Sequence, residues 1–251
     1  NYSVYDKDVS MRLWLLPFLL LCLFSTSCAY QVVAPSSPPI SESKRLSLIQ
    51  AHLLLGQWVL AKKQLDKVDV SYQERDYWRL LGLYWLSVEQ YSKALLVHVE
   101  ALQNYPDDDF IWNNYGVLLG FKKRWKEACK AFQKADEKGF SKRQSVQINL
   151  SRCAIRQNHV NLAAIYLKQA KEIADLPLIG LMTELNLVLI HGSNNNARLI
   201  FNNIQADKQI ARGSVHFDEY NCLSWHLIAR ETDPTLYSSA SNFTCLNGSR
   251  Y

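Results

Sequence analysis

A chain of 251 residues with a formal charge of +5 and 20% charged side chains is neither a highly charged polymer nor a strongly basic nucleic-acid binder. Its 48% hydrophobic content is ordinary for a folded protein and excludes a wholly disordered chain. The one dense basic run, Lys122-Lys123-Arg124-Trp125-Lys126, reads as a solvated turn between two helices in preference to a patch for lipid headgroups or nucleic acid.

The first element in chain order is not part of the fold. Residues 1–10 are polar and precede Met11, so they read as an upstream extension of the reading frame. Met11-Arg12, an apolar run over 13–24 and then Ser25-Thr26-Ser27-Cys28 describe a secretory signal, too short for a membrane span. Small residues followed by Cys28 resemble a bacterial lipobox, with Ser25 where Leu is usual. Lipidation of Cys28 is the expectation, and cleavage nearby or an uncleaved anchor are the alternatives. Ala29 after the Cys implies, in lipoproteins of this kind, sorting to the outer membrane. Residues 28–41, with Pro35, Pro38 and Pro39, are too rich in Pro and Ser to build a core and read as an extended tether.

From 42 to 207 the chain repeats. Trp78, Gly82, Ala94 and Ala101 recur as Trp112, Gly116, Ala128 and Ala135, an offset of 34 residues, and Tyr91 recurs as Trp125. That spacing of large and small residues is the tetratricopeptide signature, in which each unit is a helix pair that buries its apolar face only by stacking on its neighbours. Five units fit: a diverged first at 42–75 (Gly56, Trp58, Ala61), then 75–108, 109–142, 144–177 and 178–207. Ala61, Gly82 and Gly116 are small so that helices can approach. Asn194-Asn195-Asn196 reads as the polar turn inside the fifth unit, and Asp107-Asp108-Asp109 as a helix cap in preference to a metal cluster.

The segment 208–251 leaves the period. Residues 214–230 carry Phe217, Tyr220, Leu223 and Leu227 at helical spacing, which predicts a helix capping the last repeat. Beyond Pro234 the composition predicts loose packing. The chain is therefore all-α, a solenoid of about five helix pairs with a capping helix and tail. Of the six cysteines, Cys22 leaves with the signal and Cys28 is assigned to lipid. Among the remaining four, a Cys222–Cys245 bridge would staple the tail to the capping helix in an oxidising compartment. Cys129 and Cys153, on adjacent helices, read as buried free thiols.

No phosphate loop, nucleophile elbow or zinc spacing is present, so no cofactor, metal or catalytic residue is assigned. A hydrolase built on His216, Asp218 or His226 in the tail is the enzymatic alternative. Function is expected instead on the concave face, formed by the first helix of each unit. The frame positions that point there give Arg79, Leu83 and Leu86 from the second unit; Phe110, Asn113, Val117 and Gly120 from the third; and Ile148, Arg152 and Ile155 from the fourth. An apolar floor with Asn and Arg suits a peptide, with Asn113 able to meet a backbone amide or, equally, a neighbouring helix. Asn114 is expected to hydrogen-bond within the repeat stack.

The third unit carries a more specific likeness. Asn113-Asn114-Tyr115-Gly116, Arg124-Trp125 and Glu127-Ala128, followed by Gly139-Phe140-Ser141-Lys142-Arg143 and Asn149-Leu150, resemble the PilF/PilW-type type IV pilus biogenesis lipoproteins, strongest over 75–170. The resemblance implies a pilotin: a monomer, held by lipid on Cys28 at the periplasmic face of the outer membrane. Such a protein binds secretin subunits in its groove and promotes their localisation and multimerisation. A tetratricopeptide lipoprotein of the tight-adherence pilus system and a periplasmic envelope scaffold are the alternatives.

Overall fold

The computed structural model describes residues 40–139, 143–191, 194–206, 216–233 and 245–247. Cys28, the signal, nearly all of the tether and most of the tail after Asp233 lie outside them, as do Phe140, Ser141 and Lys142 of the quoted motif. Among the described residues the elements are all helical, and no helix is long and apolar enough to cross a membrane.

Five helix pairs follow one another. They are α1 (Glu42–Leu54) with α2 (Trp58–Leu65), α3 (Arg75–Ser87) with α4 (Tyr91–Asn104), and α5 (Asp109–Phe121) with α6 (Trp125–Glu137). Next come α7 (Gln144–Arg156) with α8 (Val160–Ile173), then α9 (Leu178–His191) with α10 (Asn194–Gln205). A sixteen-residue helix, α11 (Phe217–Thr232), packs on α9 and α10, and a 3-10 turn, Cys245–Asn247, returns to α11 and α7.

The first four pairs close with the same turn. Gly56, Glu89, Lys123 and Asn158 each adopt positive φ, between 58° and 67°. The following residue then donates its N–H back five positions: Gln57 to His52 O, Gln90 to Trp85 O, Arg124 to Leu119 O and His159 to Ala154 O. This left-handed cap satisfies carbonyls left open at a helix end and reverses the chain in three residues. The basic run at 122–126 is such a turn, with Lys122, Lys123 and Arg124 exposed. The α5 helix starts from a side-chain cap: Asp108, buried, accepts from Ile111 N–H at 2.9 Å.

Packing explains the small residues. Ala61, Ala94, Ala128, Ala163 and Ala197 occupy one position in each second helix and are fully buried. Opposite them, a Cβ on Gly116 would lie 2.6 Å from Phe132 Cε1, and one on Gly82 would lie 2.8 Å from His98 Cε1. Neither distance is compatible with a side chain unless the ring moves. Leucines and isoleucines then join the pairs, Leu53 and Leu65 to Leu80 between the first two and Phe132 to Val146 and Leu150 between the third and fourth.

First helices of successive pairs meet directly at α1–α3, α3–α5 and α7–α9. The α5–α7 pair meets less closely, linked by Asn149 Nδ2 donating to Asn113 Oδ1 at 3.1 Å across a sequence separation of 36, two more than the repeat offset.

Three expectations need correction. Cys129 and Cys153 form a disulfide from α6 to α7, because close packing around Leu150 brings their Cα atoms to 5.7 Å, well inside bridging range. Asn194-Asn195-Asn196 opens α10 and is not a loop, in keeping with the preference of Asn for helix starts. The tail is not uniformly loose. Cys245 and Leu246 are buried, the former bonded to Cys222 as expected.

Candidate functional site

The concave positions read from the repeat frame divide into two groups. Those of the second unit are already committed. Arg79 lays its guanidinium on Asp108, with Nε donating at 2.8 Å and Nη2 at 2.7 Å, and stands 5.8 Å from the Phe110 ring. Its charge is thereby balanced by the carboxylate that caps α5. Leu83 packs on the core between the first and second pairs. Leu86 was expected in the groove but is 8% exposed, because it turns inward against Ala94 and Leu118. Ile155 is likewise core, set among Ala154, Ala163 and Leu187.

The second group converges. Asn113, Val117 and Gly120 of α5 and Ile148 and Arg152 of α7 line one cavity of about 520 Å³, between the third and fourth pairs. Its far side is only partly built from a repeat helix. Ile179 of α9 forms part of it, and Asp218, Glu219 and Cys222 of α11 close it together with Cys245 and Leu246 of the terminal turn. Ile148 is almost fully buried, and Asn113 is buried with its carbonyl oxygen occupied by Asn149. Of the two roles open to Asn113, the bond to a neighbouring helix is the one seen. Asn114, expected to bond within the stack, is buried with no acceptor for Nδ2.

Arg152 is tied to α11. Its Nη1 and Nη2 donate to Glu219 Oε1 and Oε2 at 2.8 and 2.7 Å, a bidentate pair spanning 67 residues of sequence, and Nη1 also reaches Thr183 Oγ1 at 3.2 Å. One turn further on, Arg156 was not singled out by the repeat frame. Its guanidinium lies 3.5 Å from the Trp125 ring centroid, and Nη2 donates to the Leu246 carbonyl at 2.5 Å. Burial, reinforced by repulsion from Arg152, pushes its pKa down to about 9 despite the attraction of Glu219. Ile179 could have been found by extending the frame to the fifth unit. Glu219 and Leu246 could not, since nothing in the local sequence says where the tail returns.

His226 has its pKa pushed down to about 4 by burial, and with Cys222 and Cys245 it forms the one group among the described residues with metal-ligand proximity. The two sulfurs are bonded to each other, which removes the thiolates that would hold a metal.

Helix pairs with a shared alanine position, a repeated left-handed turn and a succession of apolar clusters along the stack define a tetratricopeptide-repeat solenoid. No family model matches the chain, and no curated protein sequence matches it either. Two solved structures share the fold. One, from a study of the function of Pseudomonas aeruginosa PilF, aligns with a TM-score of 0.56 at 18% identity over 80% of this chain and 94% of its own. The other, PilW, described as a widely conserved type IV pilus biogenesis factor, aligns with a TM-score of 0.58 at 18% identity over 82% and 96%.

Proposed function

We propose that this chain is a type IV pilus biogenesis lipoprotein of the pilotin kind. In this reading the lipid on Cys28 holds it at the periplasmic face of the outer membrane. The concave face then keeps a secretin segment from aggregating until the ring closes. The observation that carries the proposal is the extent of the shared fold: nearly the whole of PilW, a pilus biogenesis factor, aligns with this solenoid. The signal-like segment ending at Cys28 supports export, as do two disulfides in the folded region.

The groove in this reading is the cavity bounded by Asn113, Val117, Ile148 and Arg152 of the third and fourth units. Arg79 serves the stack and not the partner, since its charge is matched internally.

The test is a comparison in the native host. Cys28→Ser should leave the solenoid folded, release it from the outer-membrane fraction and reduce heat-stable secretin multimers. Normal multimers in that variant would overturn the pilotin reading. Loss of a tight-adherence secretin in place of the pilus one would move the protein to that system, and membrane release with no secretin effect would leave an envelope scaffold.

A further inference from the structure

The cavity holds two arginines that differ in one respect. Arg152 is neutralised by Glu219. Arg156 is not: its polar contacts are the carbonyl of Leu246 and, at 3.5 Å, that of Arg152. Its Nε is buried with no acceptor, and no carboxylate among the described residues forms an ion pair with it. A guanidinium largely withdrawn from water without a counter-ion is costly to keep. It also gains more from an incoming carboxylate than an exposed arginine would, and its planar fork fits that group with two parallel hydrogen bonds.

The rest of the cavity defines what should accompany the carboxylate. Val117, Phe121, Ile148 and Ile179 give an apolar floor beside Arg156, and at the edge the amide nitrogens of Asn149 and Gln144 are already donated to Asn113 and to the carbonyls that end α8. About 520 Å³ accommodates a few side chains and not a folded domain. The protein already shows the mode of binding in miniature. A short turn of its own tail buries Leu246 on Ala154 and Leu187 and presents a backbone carbonyl to Arg156. The acids on the α11 side do not compete, since Glu219 is bound to Arg152 and Asp218 is exposed.

We propose that this cavity is a docking site for a short acidic–apolar peptide segment of a partner protein, its Asp or Glu carboxylate on Arg156 and an adjacent aliphatic or aromatic side chain on the Val117–Ile148–Ile179 floor. The inference deepens the reading above by naming the chemistry of the bound segment, and it rests on that reading only in taking the concave face to bind a protein. A lipid headgroup or a second copy of the chain is a different occupant, and the test separates them.

The experiment selects random heptapeptides displayed on phage against the full, disulfide-bonded chain and against Arg156→Gln, each checked by circular dichroism and free-thiol titration. Wild type should enrich sequences with Asp or Glu beside an apolar residue. A labelled member of that set should lose about tenfold or more in affinity when its acid becomes the amide, and the same change should cost nothing against Arg156→Gln. The peptide change is made against wild type, so this arm stands even if the variant folds poorly.

Selected peptides without acidic preference, equal preference in Arg156→Gln, or no cavity-binding peptides at all would overturn the site. So would self-association or binding to anionic vesicles that displaces nothing from the cavity. Secretin capture is measured in parallel. Capture that persists in Arg156→Gln while acidic selectivity is absent removes this site and leaves the pilotin reading. Acid-selective binding without secretin capture does the reverse.

Discussion

The first three helix pairs and the last two solve the same problem by different means. In the first three, the concave Arg79 is met by a neighbour close along the chain: it reaches Asp108 at 29 residues, within one unit's length. In the last two, the concave side of α7 and α9 is met by α11 and the terminal turn, through Arg152–Glu219 and Leu246, while a disulfide ties that turn to α11. Periodic contacts are specified by the repeat itself and reinforce one another along the stack. A returning tail has no periodic partner, so it is held by charge pairing and by the apolar side chains Leu223, Leu227 and Leu246, with a covalent link between its own two elements.

The contrast is sharpest at Asp108. Asp108→Ala removes both the α5 cap and the partner of Arg79, and should cost about 3–4 kcal/mol, measured by urea unfolding. Asp108→Asn, which keeps a capping side chain, should cost visibly less. A loss no greater than that from changing the exposed Asp76 would mean the second unit is not held by this contact. Joint replacement of Cys222 and Cys245 by Ser comes next, weakening closure by about 3 kcal/mol. Hydrogen exchange should quicken in α11 and stay unchanged in α3–α6. Exchange that rises equally everywhere would erase the distinction between the two regions.

Gly116→Val should destabilise the third pair by about 1–3 kcal/mol through collision with Phe132, and Phe132→Leu in the same chain should recover part of it. The smallest effect is a pH dependence confined to the tail. His226 has a pKa of about 4 in the fold against 6.5 ordinarily, because burial disfavours the imidazolium. The unfolded segment therefore takes up a proton first as pH falls. Closure of α11 is at full strength above about pH 6.5 and weakens progressively toward pH 4, and His226→Gln should flatten that slope. An unchanged slope in the variant would assign the acid sensitivity to other groups.

The two regions also differ in how far the sequence discloses them. Gly82 and Gly116 stand at the repeat offset, and the alanines within one residue of it, because steric approach allows nothing larger, so the helix pairs are readable directly. The closing turns are less so. Gly56 marks the first, but Glu89, Lys123 and Asn158 take the same left-handed conformation without a glycine to signal it. The capping role of Asp108 is evident from its place before α5. That it also captures Arg79 is a contact from the start of α5 back to α3, and it withdraws a residue the frame had placed in the groove. Leu86 and Ile155 fail for a related reason: positional rules place a side chain on a face, but the local tilt of helices decides whether that face opens to water or onto the next pair. In the cavity, one wall belongs to elements outside the repeats, Asp218, Glu219 and Cys222 of α11 with Cys245 and Leu246 of the terminal turn. Arg156 gains its significance only once Leu246 and Glu219 are in place.

The junction between the third and fourth pairs has a mechanical consequence. Pulled from its ends, a stack of pairs transmits tension through each junction in series, and such an array yields at its softest link. Here α5 and α7 meet less closely than the other first helices, yet the Cys129–Cys153 bond crosses from α6 to α7 at that same joint. Oxidised, the chain would behave as a strut. With that one bond reduced it would become a hinge, and single-molecule stretching with and without a dithiol would show the added compliance at this joint.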